Sequence, residues 1–232
     1  RNGLNVIKRE PYLHHLVNDY IYFLDCLVEL DKAIVLRESE PFDAFNNPLL
    51  AELKELRLHD FYLKKQYQQL AKLIHDRISN KLNVNIQSLG TEIEWNSTGN
   101  KLYVNYGMTR ATGMVDIKFL ISKLIVVGIQ IQGSHFRLIY EDHTAKSEER
   151  IYSICNQLYS EGLWFYFGED SNVKNEYPSP KKKHPFNKFG KPFKYRSIKI
   201  DTQQTPIDLA KFVLEIYSKT DFEKIKAVIK QN

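Results

Sequence analysis

The chain has 232 residues, 43% of them hydrophobic and 26% charged, with a formal net charge of +5. These proportions belong to a folded globular protein and exclude an intrinsically disordered one. The longest apolar run, Leu124 to Ile129, is interrupted by Gly128 and falls far short of the roughly 20 residues a membrane-spanning helix needs.

The first 80 residues carry the helical period. Leu13, Leu16, Val17, Tyr20, Leu24, Leu27, Val28 and Ile34 form one apolar stripe, and Pro11 stands where a first helical turn tolerates it. The stretch "ESEPFDAFNNP" is rich in breakers and reads as a connection. A second helix is expected from Leu49 to about Lys81, through Leu53, Leu56, Phe61, Leu63, Tyr67, Leu70 and Ile74. Two such helices joined by a short loop are expected to pack as an antiparallel pair.

From Asn83 the apolar spacing changes to two. "TEIEW" and "KLYVNYG" flank the turn-rich "NSTGN" as a hairpin, and "MVDIKFLI", "KLIVVGIQIQ" and "HFRLIYED" follow as strands. "AKSEERIYSICNQLYSE" is a helix with Thr144 as expected N-cap and Gly162 as its stop. "LWFYFG" is a strand, residues 170–194 a long loop, "YRSIKI" a strand, and "TPIDLAKFVLEIYSK" a helix, with a final short helix after "TD". The order predicts an α+β fold, one mixed β-sheet flanked by helices. Residues 1–82 are expected as a helical pair on a sheet-containing core at 83–232, together one globular unit.

Cys26 and Cys155 each lie in an apolar pattern, so two buried thiols are expected. No Cys/His spacing matches a zinc site, and the N-terminal residues carry no signal-peptide apolar region. A cytoplasmic setting is the expectation.

The chemistry-bearing stretch is "GMVDIKFLISKLIVVGIQIQGSHF". Asp116 precedes a buried strand that ends in Gln130 and Gln132, which alternation places on one face, with Ile129 and Ile131 on the other. "VDIKF…LIVVGIQIQ" resembles the core of the PD-(D/E)xK nucleases, over roughly residues 83–168. The resemblance implies a Mg²⁺-dependent endonuclease, with DNA favoured over RNA as substrate. Position by position, Asp116 matches the metal-holding aspartate, Gln130 the second acid and Gln132 the closing Lys or Gln. Gln130 departs from the family at a position where a carboxylate is needed to balance Mg²⁺. His135 and Arg137, just past the strand end, are candidates for phosphate contact. Asp142, with Glu141 and His143, reads as a helix-capping region.

A second stretch, "KNEYPSPKKKHPFNKFGKPFKYRSIKI", within the loop region 170–199, has no acidic residue between Glu176 and Asp201. Lys181, Lys182, Lys183, Lys188, Lys191, Lys194 and Arg196 alternate there with Phe and Tyr. Cations neutralise phosphates and aromatics stack on bases, so this composition suits a nucleic acid. Two function classes follow. One is a nucleic-acid-binding protein with a nuclease-like core, active or inactivated at Gln130. The other is a non-catalytic binding or adaptor module that engages nucleic acid or an acidic protein surface. A homo-oligomer is compatible with both, and no membrane partner is expected.

Overall fold

The computed structural model describes residues 11–46, 48–82, 92–94, 101–109, 112–163 and 187–232. The chain divides between residues 35 and 36 into two units. The first contains helix α1, Pro11–Ala33. Its apolar residues Leu16, Tyr20, Phe23 and Val28 are exposed, and so is Cys26, unlike the buried Cys155.

The second unit opens with α2, Asp43–Asn46, α3, Leu49–Glu55, and α4, His59–Leu82. The single helix expected over 49–81 is thus broken at Leu56–Leu58. Arg57 takes a left-handed φ of 58°, its N–H donates to Lys54 O, and the Leu58 N–H donates to Leu53 O. That is a Schellman stop built without glycine. Because Arg stands where Gly usually does, the apolar period runs through the break and hides it. Past the break, Tyr67, Leu70, Ile74 and Ile78 of α4 are buried.

The strands are β1 (Glu92–Glu94), β2 (Lys101–Thr109), β3 (Thr112–Ser122), β4 (Ile125–Gln132), β5 (His135–Asp142), β6 (Asn187–Phe189) and β7 (Phe193–Lys199). They form one sheet in the order β1-β2-β3-β4-β5-β7-β6. Every described pairing is antiparallel, which corrects the expected mixed sheet. The reason is the path of the chain: β2 to β5 are a meander, and β7 returns antiparallel beside β5. The turn between β4 and β5 is two residues, Gly133–Ser134, and Gly133 supplies the positive φ of 52° that it requires.

Helices α5 (Glu148–Ser160), α6 (Pro206–Lys219) and α7 (Phe222–Gln231) complete the fold, which is α+β. Ser147 caps α5, accepting from the Arg150 N–H at 3.3 Å, so the cap lies three residues after the expected Thr144. Thr144 instead donates its hydroxyl to Asp142. Thr205 and Asp221 cap α6 and α7, which begin where the sequence places them, at Thr-Pro and after "TD". "LWFYFG" falls mostly outside the described residues.

Within the second unit, the following helix contacts fall on one face of the sheet. Phe119 lies against Tyr217 and Phe222, and Phe136 against Phe212. The Tyr67 hydroxyl donates to Gly133 O at 3.2 Å, and Tyr152 and Tyr159 of α5 lie against Lys194 and Arg196 of β7. The strand side chains in these contacts share one alternation, so the helices share one face. β3 alternates between buried and half-buried, whereas β4 is buried on both faces up to Gln132. Central position explains why β4 reads as an uninterrupted apolar run. No described helix is long and apolar enough to cross a membrane.

Candidate functional site

The opposite face carries a polar row. Asn105 on β2 pairs with Asp116 on β3, Asp116 with Gln130 on β4, Gln130 with Arg137 on β5, and Arg137 with Ser197 on β7. One polar residue per strand at one level aligns the row across the sheet. Its members are half-buried except Gln130 and Ser197, which are buried.

Hydrogen bonds run along the row in one direction. The Gln130 amide donates from Nε2 to Asp116 Oδ1 at 2.8 Å. Arg137 Nη1 donates to Gln130 Oε1 at 3.1 Å and also to Gln132 Oε1. The amide orientation follows from chemistry: reversed, its oxygen would face a carboxylate and its nitrogen a guanidinium. The Arg137 guanidinium lies 4.7 Å from the Tyr195 ring centroid, a cation–π contact. Its Nε–H is buried with no hydrogen-bond partner among the described residues.

The next level holds Tyr103, Lys118, Gly128, Ile139 and Tyr195. A Cβ at Gly128 would stand 2.3 Å from Ile117 O, so only glycine fits there. With no side chain at that position, Lys118 reaches across β4 to Glu141 at 3.2 Å. Glu141 also meets His143 Nε2 at 2.7 Å. Asn105 donates to the Tyr103 hydroxyl at 2.8 Å. Burial raises the Asp116 carboxyl above its ordinary value, against the pull of the Gln130 hydrogen bond and Lys118. Burial likewise lowers Arg137, opposed by Tyr195 and Asp116.

These residues do not fit the Mg²⁺ that the sequence resemblance implies. Asp116 receives an amide N–H, not an acidic neighbour, and the oxygens of Gln130 and Gln132 both point to a guanidinium. A hard divalent ion needs several oxygen ligands of net negative charge, and a fixed cation in the row opposes it. Among the described residues no three His, Cys, Asp or Glu gather into a metal-binding group.

The sequence-selected residues separate into groups. Asp116, Gln130, Gln132, His135 and Arg137 share this one face. Lys181, Lys182 and Lys183 lie outside the described residues. Lys188 is exposed and pairs with Glu148 at 3.2 Å, and Lys191 donates to Lys146 O at 2.7 Å. Lys194 is fully buried, donating to Lys191 O at 2.5 Å and pairing with Glu148 at 3.2 Å; Arg196 is buried over Tyr159. The charged ends of Lys194 and Arg196 therefore serve the α5–β7 contact, inside the protein rather than at a ligand surface. Alternation is the reason: both occupy helix-facing positions of β7.

Asp142 accepts the backbone N–H of Thr144 and Ala145 in the turn that precedes α5; because the helix starts later and Ser147 caps it, Asp142 is not the helix cap its position in the sequence suggests. Sequence reasoning passed over Asn105, Lys118 and Ser197, and took Tyr195 as a loop aromatic and not as the partner of Arg137. The signal available for Lys118 was its i+2 spacing from Asp116, since alternate residues share a face. No family model, no curated protein and no solved structure matches this chain.

Proposed function

We propose that this chain is a nucleic-acid-binding module that receives its ligand on the polar face of the sheet and, with glutamine at position 130, does not cleave it. The observation that carries this reading is the setting of Arg137. Its guanidinium is fixed by two glutamines and a tyrosine ring on a sheet face where Arg137 itself is half-buried. Lys118, His135 and Lys199 share that face, and Tyr103 and Tyr195 lie among them. Cations at a fixed spacing neutralise phosphates, and aromatic rings between them offer surfaces for bases. The Lys181–Lys183 run adds charge to the same chain, and DNA is the polymer that the nuclease resemblance favours.

Fluorescence anisotropy with labelled DNA and RNA oligonucleotides over a salt series tests the reading. Binding at low salt should weaken steeply as salt rises, with a logarithmic slope of about −0.7 to −0.9 per phosphate contact. Replacing Lys181, Lys182 and Lys183 together by Ala should flatten the slope by up to about 3 units, and Lys199→Ala by about 1. Absence of binding at low salt overturns the proposal.

A Mg²⁺-dependent nuclease is the second reading, favoured by one observation: the Asp116 and Gln130 side chains meet at 2.8 Å. It needs a carboxylate at position 130. Gln130→Glu, incubated with Mg²⁺ or Mn²⁺ and DNA or RNA, separates the two. Cleavage that disappears when Asp116→Asn is added would establish the hydrolase. An inert Gln130→Glu variant leaves binding alone.

A further inference from the structure

Helix α1 holds a second pattern, independent of the sheet. Leu13, Tyr20 and Leu27 recur every seven residues, and Leu16, Phe23 and Leu30 repeat between them, with Ile34 next in the series. The three–four alternation is that of heptad a and d positions, the seam along which helices supercoil. This seam is bare over much of its length: Leu13 is 40% exposed, Leu16 48%, Tyr20 61% and Phe23 53%. Leu27 and Leu30 are half-buried. A single helix cannot bury its own stripe, and a unit this small needs a partner to form a core.

The charges on α1 narrow the choice of partner. Asp19, Asp25, Glu29 and Asp31 face only Lys32 as a countercharge within the helix. Helices that lie on anionic lipid carry Lys and Arg on their polar face, so this one is of the wrong sign for a membrane surface. A heptad seam is also self-complementary, since a and d residues of one helix fill the spaces between those of an identical one. In a parallel pairing the flanking g and e positions bring Asp19 beside Leu24 and Cys26 beside Asp31, so no two like charges oppose each other.

We propose that α1 is an oligomerisation helix that pairs with α1 of a second copy of this chain along the Leu13–Leu16–Tyr20–Phe23–Leu27–Leu30 seam. The test is sedimentation equilibrium of the full chain over a concentration series. The expected mass is at least twice the 27.3 kDa of one chain. Leu16→Glu combined with Phe23→Glu should return it to 27.3 kDa, with the cooperative urea unfolding of the second unit retained. Tyr22→Glu, at a residue 72% exposed but off the seam, should leave the oligomer intact. Should the glutamates precipitate the chain, Leu16→Ala with Phe23→Ala must raise the dissociation constant at least about a hundred-fold.

A wild-type monomer overturns the proposal, whether it stays in solution or pellets with phosphatidylcholine or phosphatidylserine vesicles. So does an oligomer that survives the seam substitutions, or one that Tyr22→Glu dissolves equally well.

Discussion

The same three strands, β3, β4 and β5, build two unlike surfaces. Toward the helices they present Ile117, Ile129 and Leu138, one directly beside the next, held by exclusion from water. One residue along each strand they present Asp116, Gln130 and Arg137, held by hydrogen bonds that run from guanidinium to amide to carboxylate. The apolar surface tolerates many side chains of similar volume. The polar one depends on each donor meeting its acceptor, because a half-buried polar group that loses its partner keeps its desolvation cost. Burial in this protein is therefore spread over many residues on one face and concentrated in a few pairings on the other.

Truncation on the apolar face should show the largest effect. Ile129 is 1% exposed at the centre of the sheet, and Ile129→Ala should cost about 2–5 kcal/mol in urea unfolding. A neutral result would remove β4 from the core and collapse the distinction between the faces.

A smaller loss is expected on the polar face. Arg137→Met keeps the apolar stem but leaves the oxygens of Gln130 and Gln132 without this donor. The cost should be about 1–3 kcal/mol, the price of buried acceptors left unpaired. If Arg137→Met instead stabilises the protein, the row is held by packing and not by its hydrogen bonds.

The smallest effect is a dependence on pH. Burial raises Asp116 in the folded protein, so its ionisation favours the unfolded chain. That loss begins as pH rises past the unfolded carboxyl value of about 3.9 and continues through the higher folded value. Asp116→Asn cannot ionise. It should therefore gain on wild type as pH rises from about 4 toward 7, and the gap should close below about pH 3. Paired thermal melts measure this. A gap that widens on acidification would show that Lys118 and Arg137 outweigh burial at this carboxylate.

Much of the site was legible in the sequence because a strand is a simple ruler. Gln130 and Gln132, two apart, had to share a face, and Gly133–Ser134 had to turn the chain straight back, bringing His135 and Arg137 alongside. Lys118 and Glu141 were not legible as a pair, since their meeting depends on the space above Gly128 in the strand between them. Lys194 and Arg196 misled for a related reason. Their composition matches a surface loop, yet they lie on the helix-facing alternation of β7, and that parity is set by the register of β7 against β5.

What the sequence determined by itself is periodic: helices at both ends of the chain, a strand meander between them, helix starts at Thr205 and Asp221, and a core strand at 125–132. These features arise from interactions between residues a few positions apart, which a linear pattern records. The tertiary structure alone decided which polar residues became partners. It set the Arg137 guanidinium over Tyr195, tied Lys194 to Glu148, and carried Lys118 across β4 to Glu141. Such contacts join residues distant in sequence, and their stability comes from burial and geometry that no single segment encodes.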